Sequence, residues 1–173
     1  GESLMAEKAG ELLDMENPTV APYAKSGEAL LRVTAKAKNE EDAEKLISPV
    51  VEEIKNRLGS LVYGIDSASI EEAVVSLLKE KKLTLATAES CTGGLISKRI
   101  TDIPGASEVF GCTIVSYSNE IKESLLGVKR EHLQKYGAVS EAVAAEMALG
   151  ALKKSGASLA VSVTGIAGPS SDN

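Results

Sequence analysis

Aromatic residues and cysteines are scarce in this sequence. Phe and Tyr together make up 3% of the 173 residues and tryptophan is absent, so the stacking platforms that bind single-stranded bases are largely missing. The only cysteines are Cys91 and Cys112, both within apolar segments. Two cysteines in a chain of this length do not indicate a disulfide framework. We therefore expect reduced thiols and a cytoplasmic location.

The sequence also lacks an excess of positive charge and long apolar runs. The 19 basic residues are outnumbered by 25 acidic ones, which gives a net charge of -6. A chain with this balance has no broad basic surface to neutralise the phosphates of a nucleic acid. Apolar runs such as 159–163 are far shorter than the roughly 20 residues needed to cross a bilayer. We therefore expect neither nucleic-acid binding nor membrane association.

Residues 1–66 predict a small α+β domain with an N-terminal helix. The alternating pattern over 28–37 is typical of a half-buried strand, and Asn39 is suited to cap a helix over 42–58 that has to tolerate Pro49. Further predicted elements are a helical segment over 3–13, an extended segment between 18 and 22, and a strand over 60–64.

Residues 67–173 predict a three-layer α/β/α domain with a largely parallel sheet, because buried strands alternate with amphipathic helices. The predicted strands cover 83–89, 109–117 and 158–164, and the predicted helices cover 70–81, 95–101, 119–126, 129–136 and 141–155. We expect the polar residues 170–173 to form a turn, and a further helix and strand to be needed to complete the fold.

Ser90 lies where a buried strand meets a glycine-containing turn and a helix. Ligands bind at the carboxyl edge of a parallel sheet, and the free amides of the following residues, from about Cys91 to Gly94, can face an oxyanion there. The alternative is that Ser90 or Thr92 only caps the helix, and the motif by itself favours that alternative.

Tyr117 and Lys122 form a second candidate group, at the end of a strand and one helical turn further on. A serine nucleophile needs a base, and the only histidine, His132, lies in a charged helix where a solvated position is expected. A desolvated lysine can replace the histidine, with a tyrosine relaying or orienting the proton. The alternatives are an exposed helical lysine paired with Glu123 and a tyrosine packed on the core.

Three further features bear on the site. The thiol of Cys91 is a rival nucleophile, since a cysteine at a helix N-terminus is easily deprotonated. The loop containing Thr164 and Gly165 follows another strand at the same edge and is able to bind a ligand through its amides. The spacing of His, Cys, Asp and Glu does not suggest a metal site, and we expect no cofactor.

Four segments taken together resemble the CinA (competence/damage-inducible protein) family in order and spacing. They are Thr87-Ala-Glu-Ser-Cys-Thr-Gly-Gly94, Ser116-Tyr-Ser-Asn119 with Lys122, Gly137-Ala-Val-Ser-Glu141 and Val163-Thr-Gly-Ile-Ala-Gly-Pro169. The α+β unit, which follows Asn17-Pro-Thr-Val-Ala-Pro-Tyr-Ala24, is similar to the KH-type middle domain of that family.

The resemblance implies a nicotinamide-nucleotide amidase of pyridine nucleotide salvage, which converts nicotinamide mononucleotide and water to nicotinate mononucleotide and ammonia. It implies Ser90 as the nucleophile, with Lys122 and Tyr117 activating it. The substrate contacts implied by the resemblance are Cys91, Thr92, Gly93, Gly94, Thr164 and Gly165.

The chain departs from the family at both ends. Residues 1–173 include no counterpart of the family's molybdopterin-protein-like N-terminal domain, so we do not expect from them the ADP-ribose pyrophosphatase activity linked to that domain, and Ser170-Ser-Asp stands where the family has Asp-Gly-Gly. A non-catalytic nucleotide-binding module therefore remains the alternative function. We also expect a homodimer, and we do not expect RNA binding, because residues 19–64 lack the Gly-x-x-Gly loop that KH modules use to hold nucleic acid.

Overall fold

The computed structural model describes residues 1–25, 27–67 and 69–168. Contacts within the chain divide it into two compact units, Gly1–Ile65 and Asp66–Asn173. The turn predicted for residues 170–173 lies outside the described residues.

The N-terminal unit contains two helices and an antiparallel hairpin. Its elements are α1 (Glu2–Ala9), a 3-10 turn (Gly10–Asp14), β1 (Thr19–Lys25), β2 (Glu28–Thr34), α2 (Glu40–Leu58) and a second 3-10 turn (Gly59–Leu61). The strand predicted over 60–64 is wrong. Val62 donates its amide to the carbonyl of Gly59, and β1 and β2 pair with each other, so residues 60–64 begin in a tight turn and do not join the hairpin.

Helix α2 supplies one wall of this unit's core. The side chain of Asn39 caps it by accepting the amide of Asp42 at 2.8 Å, and Pro49 is accommodated within a single continuous helix. The helix buries one apolar stripe against the hairpin and the first 3-10 turn. The buried core consists of Leu12, Val20, Val50 and Ile54.

The C-terminal unit is built on a three-stranded parallel sheet with strand order β4-β3-β5. Its strands are β3 (Leu85–Glu89), β4 (Phe110–Val115) and β5 (Leu159–Val163). Its helices are α3 (Ile70–Lys81), α4 (Leu95–Thr101), α5 (Asn119–Leu126), α6 (Arg130–Tyr136) and α7 (Glu141–Ser155), and a 3-10 turn spans Ala106–Glu108.

Helices cover both faces of this sheet. Ala86 and Ala88 of the central strand pack in one cluster with buried residues of α5, α6 and α7. Leu85, on the other face, packs in a second cluster with buried residues of α3 and α4. Successive strand residues point to opposite faces, so β3 is buried on both sides. The predicted α/β architecture with a largely parallel sheet is confirmed.

Candidate active site

The carboxyl ends of the three strands meet around Ser90. The amide of Ser90 donates to the carbonyl of Val163 on β5 at 3.0 Å, and the amide of Ser116 after β4 donates to the carbonyl of Glu89 at 2.8 Å. Ser90 itself directly follows the central strand. Its position is therefore set from both neighbouring strands, at the edge of the sheet where α/β proteins bind ligands.

A tight turn leads from Ser90 into α4. Gly93 and Gly94 have φ values of 60° and 101°, a conformation that other L-residues adopt only with strain. The amide of Gly93 donates to the carbonyl of Ser90 at 3.0 Å. The amides of Cys91, Thr92 and Gly94 have no hydrogen-bond partner among the described residues, which leaves these three donors available to a ligand.

Lys122 is buried beside Ser90. Its side chain is only 1% exposed, and its Nζ lies 2.9 Å from Ser90 Oγ, 2.8 Å from the carbonyl oxygen of Ser116 and 3.4 Å from that of Tyr117. The alternative of an exposed helical cation paired with Glu123 is wrong. Helix α5 instead directs this lysine inward, over the carboxyl edge of the sheet.

Burial shifts the protonation equilibrium of Lys122. Desolvation lowers the pKa of its ammonium group, and the electrostatic effect of a thiolate at Cys91 opposes this by a smaller amount, so the pKa of Lys122 is lowered overall. A lysine with a lowered pKa is more often neutral near physiological pH, and a neutral amine is able to accept a proton. Lys122 thus has the properties required of a general base.

The phenol of Tyr117 does not share this burial. Its side chain is 70% exposed, and the atom of Tyr117 that approaches Lys122 is the main-chain carbonyl oxygen. Packing of this ring on the core, the alternative considered from the sequence, is therefore wrong. The activating role expected of the phenol stays a prediction.

The loop after β5 lies against the turn after Ser90. A Cβ added to Gly165 would lie 3.0 Å from Cys91 Sγ, so the absence of a side chain there allows the close approach. Cys91 is a free, half-buried thiol. Thr164 Oγ1 donates to the carbonyl of Ala138 at 2.8 Å, and Thr92 Oγ1 donates to Glu89 at 2.7 Å. Both hydroxyls retain lone pairs that can accept a hydrogen bond from a ligand.

Glu89 was not predicted from the sequence to belong to the site. Its carboxylate accepts hydrogen bonds from the amides of Ile96 and Ser97 at 3.1 and 2.9 Å, whereas the N-cap residue Gly94 has no side chain to do so. The capping alternative for Ser90 and Thr92 is therefore wrong, because Glu89 caps α4. The feature of the sequence that could have indicated its role is an acidic residue at the end of a strand that is otherwise apolar or small.

His132 lies in a different setting from the one expected. Its Nδ1 is 2.9 Å from a carboxylate oxygen of Glu146 on α7, and its side chain is 31% exposed, so it packs between helices and is not fully solvated. Among residues 1–25, 27–67 and 69–168, no group of three or more His, Cys, Asp or Glu side chains is arranged to hold a metal ion. No described helix is long and apolar enough to cross a membrane.

Two family profiles together match nearly the whole chain. The CinA C-terminal domain matches residues 67–173, and the damage-inducible protein CinA KH domain matches residues 1–64.

Similar proteins carry names of the same family. CinA-like proteins of Dictyoglomus thermophilum and Kosmotoga olearia are 55% and 52% identical over 170 residues, which is 98% of this chain. The chain spans 41% of the length of these relatives.

Solved structures of competence/damage-inducible proteins also align with part of the chain. The competence/damage inducible protein CihA from Agrobacterium tumefaciens aligns with a TM-score of 0.56 and 41% identity, covering 64% of this chain and 68% of that one. A competence or damage-inducible protein from Enterobacter asburiae aligns with a TM-score of 0.58 and 34% identity, covering 60% and 65% of the two chains.

Proposed function

Because this chain belongs to the CinA family, we propose that its C-terminal unit is a serine amidohydrolase that converts nicotinamide mononucleotide and water to nicotinate mononucleotide and ammonia. Ser90 is the nucleophile and Lys122 is the general base. The substrate is a small phosphorylated nucleotide, and the reaction is acyl transfer through a covalent serine ester.

The observation that carries this proposal is the set of oxygen atoms around Lys122 Nζ. A neutral amine has two N–H donors and one lone pair. The carbonyl oxygens of Ser116 and Tyr117, at 2.8 and 3.4 Å, accept the two N–H groups. The lone pair is then left facing Ser90 Oγ at 2.9 Å, within reach for removing its proton. The neutral state favoured by burial is thus also the state that these contacts orient for catalysis.

The proposed reaction follows from this geometry. As Ser90 Oγ attacks the amide carbon, its proton passes to Lys122 Nζ, and the carbonyl oxygen becomes an oxyanion. The carbon–nitrogen bond then breaks, and the protonated Lys122 gives its proton to the departing nitrogen, which leaves as ammonia. Water attacks the resulting ester, losing a proton to Lys122, and the acid is released as Ser90 regains its proton.

The free amides of the turn are suited to stabilise the oxyanion. Those of Cys91 and Thr92 belong to the two residues that follow the nucleophile, and they have no partner among the described residues. Amides fixed by the backbone need no reorganisation when charge develops, which makes such donors effective. We assign the remaining substrate contacts to Gly93, Gly94 and the loop containing Thr164 and Gly165.

Ser90 is a better candidate for the nucleophile than Cys91. Lys122 Nζ lies 2.9 Å from Ser90 Oγ, whereas the Cys91 thiol lies against Gly165. A base that contacts the serine activates the serine directly.

The pH dependence of kcat/KM is expected to show an acidic limb set by Lys122. The neutral amine is the active form, so activity rises as pH increases through the pKa of Lys122, which burial lowers below its ordinary value of 10.5. A thiolate at Cys91 opposes this lowering electrostatically, so Cys91→Ala is expected to shift the limb to lower pH. Steady-state ammonia release measured between pH 5 and 10 would check both expectations, and a limb that moves to higher pH in Cys91→Ala would contradict the assignment.

The direct test is to measure ammonia and nicotinate mononucleotide production from nicotinamide mononucleotide. Nicotinamide and nicotinamide riboside serve as matched substrates that lack, respectively, the ribose phosphate and the phosphate alone. We expect turnover with the nucleotide and much slower turnover with the other two. Binding of the nucleotide by calorimetry without any turnover would replace this proposal with the non-catalytic nucleotide-binding module.

The homodimer expected from the sequence stays a prediction. In the described sheet β4 is an edge strand, and large apolar side chains on β4, just after it and on α4 and α5 are at least 38% exposed: Leu95, Val115, Tyr117, Ile121 and Leu125. Covering such side chains favours association. Light scattering after size exclusion is expected to give twice the 18.0 kDa chain mass, and a monomer at all micromolar concentrations would contradict it.

A further inference from the structure

We propose that Glu89 is a positioning residue whose buried carboxylate fixes the turn that carries Ser90, and thereby the approach of Ser90 Oγ to Lys122 Nζ. This inference rests on the proposed function, because that reaction requires the Ser90–Lys122 contact. Glu89 acts through the turn and does not itself touch the reacting atoms.

Glu89 is an anion held in the interior by neutral donors. Its side chain is 0% exposed. Its carboxylate accepts hydrogen bonds from the Thr92 hydroxyl at 2.7 Å and from the amides of Ile96 and Ser97 at 3.1 and 2.9 Å. It also accepts one from the Ser97 hydroxyl. Burial alone raises the pKa of the Glu89 carboxyl. The hydrogen bonds that it accepts, of which that from the Ser97 side chain has the largest effect, outweigh burial and lower the pKa overall. The carboxylate is therefore charged at neutral pH, and its four donors compensate for its lost hydration.

These contacts join three segments at one residue. The main-chain carbonyl of Glu89 accepts the amide of Ser116, which ties it to the end of β4. Its carboxylate reaches the first turn of α4 through Ile96 and Ser97, and it reaches the turn after Ser90 through Thr92. The end of β4 and the start of α4 are thereby held on either side of the nucleophile.

The turn needs such an anchor because two of its residues are glycines. Gly93 and Gly94 have positive φ and no side chains to pack, and glycine is the most flexible residue in the backbone. Thr92 comes directly before these glycines. Its hydrogen bond to Glu89 therefore restricts the backbone next to the most flexible part of the turn. Ser90, two residues earlier, is fixed as a result.

Three hydroxyls support the carboxylate from the sheet, of which those of Thr87 and Ser97 are buried and that of Thr113 belongs to an exposed residue. Ser97 Oγ lies 2.8 Å from both Thr87 Oγ1 and Thr113 Oγ1, and Thr87 Oγ1 donates to Thr113 Oγ1 at 2.9 Å. Ser97 also donates to Glu89. The carboxylate is therefore held from the strands as well as from the helix, as a group that sets a precise position requires.

The substitution Glu89→Gln tests the inference. Glutamine keeps the shape, but its amide nitrogen has no acceptor lone pair, so it faces N–H and O–H donors that it cannot satisfy. A fluorophosphonate probe reports on Ser90 without any nucleotide. Ser90 Oγ bonds to phosphorus, the phosphorus–fluorine bond breaks, fluoride leaves and the serine proton passes to Lys122. We expect the maximal labelling rate to fall between about tenfold and a hundredfold, with the probe's binding constant unchanged.

The variant Thr113→Val is the matched control. It removes a hydroxyl from the exposed end of the same set, and Thr113 contacts Ser97 and Thr87 but not Glu89. Because Thr92, Ile96 and Ser97 still donate to Glu89 when the Thr113 hydroxyl is removed, we expect a lower melting temperature in both variants but slow labelling only in Glu89→Gln. Wild-type labelling of Glu89→Gln, or equal slowing in both variants, would overturn the inference, since either result leaves Glu89 as a helix cap alone.

Hydrogen exchange separates this inference from the proposed function. Amides over 90–97 are expected to exchange faster in Glu89→Gln than in wild type or Thr113→Val. If they do, but wild-type Ser90 reacts with neither probe nor nucleotide, the serine mechanism fails while the anchoring of the turn by Glu89 stands. Unchanged exchange over 90–97 in Glu89→Gln would overturn the anchoring itself.

Discussion

Replacing Ser90 with alanine is expected to reduce ammonia release from nicotinamide mononucleotide by at least about 10⁴-fold, because loss of an enzymatic nucleophile leaves only binding and oxyanion stabilisation. The proposed reaction begins with the transfer of the Ser90 proton to Lys122 Nζ at 2.9 Å. Alanine offers neither the oxygen nor the proton. Since the substrate contacts are elsewhere, KM is expected to change little while kcat falls.

The same variant is expected to remain folded. Ser90 is only 6% exposed, but its main-chain bonds to Val163 and Gly93 do not depend on the side chain. Lys122 retains the two carbonyl acceptors. The cost is therefore limited to one hydrogen bond, about 1 kcal/mol in the free energy of unfolding, and thermal unfolding followed by circular dichroism measures it.

Ser162→Ala is a suitable control for this experiment. Ser162 lies on β5 and donates to the carbonyl of Ala144 on α7 at 2.6 Å, so its loss has a similar cost in stability without touching Lys122. We expect normal kcat from this control. Ammonia release by Ser90→Ala at more than a few per cent of the wild-type rate would reject the serine mechanism, and Cys91→Ala would then decide whether the thiol is the nucleophile.

Local signals explain why the helices of the C-terminal unit could be predicted from sequence. Ser69, Ser118 and Ser140 each accept a main-chain amide at the start of a helix, and Gly127 and Gly156 end two of those helices in the left-handed conformation. The predicted bounds of α3, α5 and α7 agree with the structure. The three strands of this unit were predicted to extend one or two residues too far at one or both ends, because where a strand ends depends on its neighbours, which the local pattern does not contain.

The reacting side chains of the candidate site and the carboxylate that supports them differ in how far they could be predicted from the sequence. Ser90 was a candidate because a polar residue ending a buried strand reaches the carboxyl edge of a parallel sheet. Lys122 was a candidate because it lies one helical turn beyond another strand end, and the family resemblance implied the roles of both. Glu89 could not be predicted in this way, because its carboxylate accepts amides seven and eight residues away, whereas known capping patterns join residues two or three apart. The burial of Lys122 likewise depends on how α5 crosses the sheet, and local spacing does not give that crossing.

The largest effect on stability is expected from a substitution where α5 and α7 cross, at Gly150. Gly150 lies within α7, and a Cβ added there would be 2.0 Å from the carbonyl oxygen of Leu126, at the end of α5. Alanine is the better helix former by about 1 kcal/mol, so propensity alone predicts stabilisation. The overlap is with a backbone atom, which cannot rotate away, and overpacking of this kind exceeds that gain. We expect Gly150→Ala to lower the free energy of unfolding by about 3 kcal/mol.

This substitution also connects the packing to the chemistry. Relief of the overlap requires α5 to move away from α7, and α5 carries Lys122, whose Nζ must stay near Ser90 Oγ. We therefore expect a fall in the melting temperature of roughly 10 °C together with a lower kcat in the fraction that remains folded. Gly111→Ala is the control, because Gly111 lies on β4 with no heavy atom within 4 Å of an added Cβ. Calorimetry that finds Gly150→Ala as stable as Gly111→Ala would contradict the close approach of the two helices, and with it the route by which α5 brings Lys122 to the site.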